Sequence, residues 1–187
     1  MDEQVWRGVV NSILHGHQAA MRYEGVVMRP TLFVFTGGSL VGYVHLRPVY
    51  RGEDAQNGIV QMSDLAAAAS ADEIIAVWET QDIALACEIP ARHEGPGLNI
   101  LYASATTQLV HCYTYQERKV GRADNGLWSI EPQWTSSGQA QPITGIEPPI
   151  AELIELAFQP LPTVLDDALS VAAAHLEDHG YSVRLTA

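Results

Sequence analysis

Only two cysteines, Cys87 and Cys112, occur in this 187-residue sequence. A multi-bridge disulfide framework is thereby excluded, and a single Cys87–Cys112 bridge requires the two runs to lie side by side. Both lie in apolar, strand-like runs, which reads as two buried thiols in a reducing compartment. No covalent staple is needed, because a chain of this length buries roughly 70% of the surface its unfolded form exposes. Basic residues are scarce as well: ten Lys and Arg face 22 Asp and Glu, for a net charge of −12. Phosphate contact needs clustered positive charge, so nucleic acid is not an expected partner. No apolar run approaches the ~20 residues of a membrane span. The opening residues, MDEQVWRGVVNS, begin acidic and lack the basic start and apolar stretch of a signal peptide. The expectation is a cytoplasmic protein with no membrane partner.

Reactive signatures are missing too. Thr36-Gly37-Gly38-Ser39 has no lysine and no phosphate-loop spacing, and a strand-like run follows it. Ser39 and Ser104 sit in no nucleophile elbow. Asp64, Asp72, Glu73, Glu79 and Asp82 lack the alternation of a calcium loop and read as a solvated rim.

What is present is a globular composition, 47% apolar and 17% charged. The acidity is uneven. Residues 1–60 hold five Arg and five acids, whereas residues 61–187 hold 17 acids and five basic groups. Such a surface allows a basic partner or a divalent cation.

Val5, Trp6, Val9, Val10, Ile13, Leu14, Ala20 and Met21 recur at helical spacing, predicting a helix over 3–22 that stops at Gly25. Residues 31–36 and 39–46 flank Gly37-Gly38, a hairpin signal. An alanine-rich helix is expected over 59–70. Residues 73–79 and 83–89 read as a second hairpin around Thr80-Gln81, followed by strands at 98–105, 108–117 and 127–131. A Pro/Gly/Ser-rich surface loop is expected over 132–149. A helix follows Pro149 and stops at Pro160, and a last one runs from an N-cap at Thr163 to His179. The whole of 1–187 reads as a single α+β domain. Its expected core is one antiparallel or mixed sheet of about five to seven strands, with N- and C-terminal helices packed over one face.

Histidines supply the sharpest chemical candidates. His175 and His179 stand four apart on a helix, a spacing metal pairs use. On a helical wheel they fall within an apolar face, and so does His17 between Ile13 and Met21, with His15 pointing away. If the terminal helices pack together, His17, His175 and His179 meet and form a site for zinc or another divalent transition metal. On the strand at 108–117, Leu109, His111, Tyr113 and Tyr115 share one face, opposite Val110, Cys112 and Thr114. His111 and Cys112 therefore cannot pair. Cys87 is left as the thiol that His111 or His45 could reach. Trp78, Trp128 and Trp134, with Tyr43, Tyr50, Tyr113 and Tyr115, exceed what one sheet face buries, which suits a dimer or partner surface.

The expected function is a soluble, acidic binding or protein-interaction module with no readable catalytic motif and no cofactor, with a homodimer or another protein as its partner. The alternative is a His-based metal-dependent hydrolase or another small-molecule enzyme.

Overall fold

A computed structural model describes residues 1–138, 140–143, 145–159 and 167–186. Helix α1 spans Glu3–Ala19 and widens into a π-helical turn at Ala20–Glu24. Asp2 caps its start, the carboxylate accepting from the Val5 amide at 2.8 Å. The chain leaves at Gly25, whose φ of 70° suits a residue without Cβ. Strands β1 (Thr31–Thr36) and β2 (Ser39–His45) form the expected hairpin on Gly37 and Gly38, both at positive φ. Helices α2 (Glu53–Gln61) and α3 (Ser63–Ala68) replace the single helix expected there.

After β3 (Glu73–Glu79), the expected second hairpin is a helix instead, α4 (Thr80–Cys87). The Glu79 carboxylate accepts from the Asp82 amide and caps that helix, and Ile83, Ala84 and Cys87 form its buried stripe. Strands β4 (Gly97–Ser104), β5 (Gln108–Arg122) and β6 (Trp128–Trp134) follow. The segment expected to be a loop over 132–149 contains the end of β6 and a short strand, β7 (Ala140–Pro142). Helix α5 spans Pro148–Ala157, α6 spans Ala168–Asp178, and β8 spans Ser182–Leu185. The expected stop at Pro160 and cap at Thr163 lie outside the described residues.

All strand pairs are antiparallel, in the order β6-β5-β4-β3-β1-β2-β8, with β7 beside β5. The α+β architecture is as expected, but the sheet has eight strands and helices cover both of its faces. The reason lies in β3, where all of Glu73–Glu79 is buried. A strand apolar on both sides needs cover on both. Ile74, Ala76 and Trp78 join Leu32, Val34 and Leu101 beneath α2, α3, α5 and α6. Ile75 and Val77 join Phe35, Leu98 and Ile100 beneath Val10 and Ile13 of α1. Among the described residues, no helix is long and apolar enough to cross a membrane.

Candidate functional site

The two helical faces separate the three histidines. His17 lies wholly buried under α1, its ring 5.3 Å from that of Tyr115 and 5.9 Å from that of Trp134. Its Nδ1 accepts from the Met28 amide at 3.4 Å, so Nε2 carries the proton and has no acceptor among the described residues. Burial lowers its pKa to about 4. His175 and His179 are on the other side of the sheet and exposed, with ring centroids 4.3 Å apart. His179 Nδ1 donates to the His175 carbonyl at 2.8 Å, closing the helix end. Helix α6 packs through Leu169, Ala173 and Leu176, while Val171 is 50% exposed, so the flank that carries His175 and His179 faces outward. The predicted three-histidine centre is not assembled. Among the described residues, no group of three or more His, Cys, Asp or Glu could hold a metal ion.

The aromatic residues divide. Trp78 and Tyr115 are core, whereas Tyr50 and Trp128 are exposed. Trp128 stacks under the guanidinium of Arg122, 3.9 Å from its ring centre.

A largely apolar concavity lies between α1 and the β1–β2 hairpin. It is a groove of about 540 Å³. Val5, Gly8, Val9, Ser12 and Ile13 form its helical wall, and Phe33, Phe35 and Leu40 its sheet wall, with Met28 between. Helix α1 turns Trp6 and His17 toward β4, β5 and β6, where they meet Tyr102, His111, Tyr115 and Trp134. The other flank of α1 does not reach across β1 and β2, so Phe33, Leu40 and Tyr43 stay half-buried. Gly8 opens the helical wall: a Cβ there would meet nothing within 4 Å.

A polar site lies at the β5–β7 side. His111 and Cys112 do point to opposite faces, and the partner of Cys112 is His93, Nε2 standing 3.1 Å from Sγ. His93 belongs to the irregular segment between α4 and β4, whose geometry Glu79 fixes. The Glu79 carboxylate, 3% exposed, accepts from the Gly97 amide at 2.8 Å and the Asp82 amide at 2.7 Å. Burial raises its pKa against these bonds, so Glu79 is no part of a solvated rim. Thr80 Oγ1 lies 2.9 Å from His93 Nε2, donates to the Gly97 carbonyl at 3.1 Å and accepts from Asn99 Nδ2 at 2.7 Å. Burial pushes the Cys112 thiol up and the Arg92 guanidinium pulls it down, while Glu147 and Glu79 add to the rise. Cys87, also buried, is pushed up to about 11. Neither His93 nor its pairing with Cys112 was foreseen, because a loop position has no periodicity to place it.

No protein-family model, curated protein or solved structure matches this chain.

Proposed function

We propose that the chain is a protein-interaction module whose groove between α1 and the β1–β2 hairpin receives an amphipathic, basic segment of another protein. The observation that carries this reading is the groove itself, about 540 Å³ with an apolar lining drawn from three stretches of chain. A helix packing apolar side chains into such a groove is a recurring mode of recognition. The groove lies within the charge-balanced first 60 residues, but the net charge of −12 over the whole chain steers a basic segment toward the molecule. The half-buried Phe33, Leu40 and Tyr43 supply aromatic and aliphatic contacts where such a segment would lie.

The test is the binding of a labelled amphipathic leucine–lysine peptide to the protein and to a Gly8→Leu variant, which fills the groove from its helical wall. A second copy of the chain is the competing occupant. Self-association that excludes the peptide distinguishes it.

A further inference from the structure

We infer that Cys112, with His93 and Arg92, forms a nucleophilic thiol site for small electrophiles that carry an anionic group, a function separate from the groove. The site opens on a cavity of about 510 Å³ lined by Arg92, His93, Cys112, Thr114, Ser136 and neighbouring polar side chains. It lies by the β5–β7 pairing, whereas the groove flanks α1 at the β1–β2 hairpin.

Hydrogen bonding sets the role of His93. Thr80 gives its proton to the Gly97 carbonyl and one lone pair to Asn99. It therefore offers His93 Nε2 only a lone pair, so Nε2 carries a hydrogen. That N–H stands between Thr80 Oγ1 at 2.9 Å and Cys112 Sγ at 3.1 Å. Nδ1 faces the Glu94 carbonyl at 3.4 Å. A donor aimed at sulfur stabilises the thiolate, the form that attacks.

The close approach is built into the backbone. A Cβ on Gly97 would lie 2.6 Å from His93 Cε1 and 3.1 Å from Cys112 Sγ, so the imidazole and the sulfur occupy the space a side chain would need.

Arg92 names the ligand class. It lines the cavity, and its buried Nη1 has no hydrogen-bond partner among the described residues. A guanidinium on the wall of a polar cavity favours a negatively charged ligand, and a carboxylate matches it in charge and planar geometry. Its charge also counters the burial that holds the thiol protonated. Glu147 and Glu79 add to the burial that raises the thiol, so Arg92 and the His93 N–H are the groups that favour the attacking form. In the reaction the thiol proton leaves to solvent through the open cavity. The sulfur lone pair forms a bond to the electrophilic carbon, and the leaving group departs with the bonding pair.

Iodoacetate and iodoacetamide test this, one anionic and one neutral, with iodide as the leaving group of both. Alkylation of the folded chain at neutral pH is followed by peptide mass mapping, with buried Cys87 as internal control and the guanidinium-unfolded chain as reference. The expected result is modification at Cys112 and not at Cys87, with an iodoacetate-to-iodoacetamide rate ratio above that of the unfolded chain. Arg92→Gln should return the ratio to the unfolded value. His93→Ala should slow both reagents at Cys112 about tenfold, the worth of a hydrogen bond to a charged sulfur. Circular dichroism and continued protection of Cys87 show that a variant is folded. If His93→Ala does not fold, the wild-type ratio decides alone. A ratio equal to the unfolded chain's, or Cys112 no more reactive than Cys87, overturns the proposal.

Discussion

The imidazole of His17 stands edge-on to the ring of Tyr115, centroids 5.3 Å apart, with its Nε2–H facing no acceptor among the described residues. Its pKa is lowered to about 4, against about 6.5 for a free histidine. In the window between these values the unfolded chain binds a proton that the folded chain refuses. Stability is therefore full above the unfolded value, falls as pH drops through the window, and levels off below the folded value. The loss is about 3 kcal/mol over the whole window. Denaturant unfolding at neutral pH and near pH 4.5 measures it. In His17→Leu this part of the pH dependence should disappear.

Gly25→Ala is expected to destabilise the fold. The residue has φ +70°, and a Cβ would lie 2.6 Å from the Trp128 carbonyl oxygen and 2.8 Å from Leu127 Cβ. Backbone on one side cannot swing away, so the loss should reach about 1–3 kcal/mol in thermal or denaturant unfolding. The seam between the π-turn and β6 depends on this approach. Ser129 and Asn125 donate there to the carbonyls of Arg22 and Glu24.

Gly97→Ala should behave differently. The groups in the way are a histidine ring and a thiol, which can move, and alanine gains backbone rigidity in the unfolded chain. Unfolding stability should change by no more than about 1 kcal/mol. Alkylation of Cys112 should lose its dependence on His93, which separates a local displacement from a global one.

Much of the fold was legible in the residues, and the misses have physical causes. Gly37-Gly38 placed the first hairpin because only glycine takes two consecutive positive φ values cheaply. Residues 83–89 misled because an apolar run of strand length carries no period. What makes them helical is the cap at Glu79, whose carboxylate takes the local Asp82 amide and is held by the Gly97 amide 18 positions away. Burial on both sides of β3 was written in its unbroken run Ile74-Ile75-Ala76-Val77-Trp78, which itself calls for helices on both faces. Strand β8 is four residues long, too short to stand out. His17 was correctly placed in a buried stripe. His175 and His179 were not, because the packed stripe of the alanine-rich α6 is narrow, through Leu169, Ala173 and Leu176, and both histidines lie outside it. The pairing of His93 with Cys112 joins a loop to a strand 19 positions away. No local pattern encodes that.

Gly8 lies exposed in the helical wall of the groove, in open space and in helical conformation. Alanine there should stabilise the protein by about 0.5–1 kcal/mol, the helix-interior difference between the two residues. It adds one methyl group and leaves the groove open. Leucine should keep that gain while filling the groove. The pair of variants thus separates stability from binding, and thermal unfolding of each checks the first part.

The most direct test of the groove as a partner site is fluorescence anisotropy with a labelled amphipathic leucine–lysine peptide. Wild-type protein and Gly8→Ala should bind it saturably at one site, and added salt should weaken the binding. Gly8→Leu should weaken it about tenfold or more, the worth of about 1.4 kcal/mol. Binding unchanged in Gly8→Leu, or no saturable binding by the wild-type chain, would contradict the groove as a site for a basic, amphipathic partner.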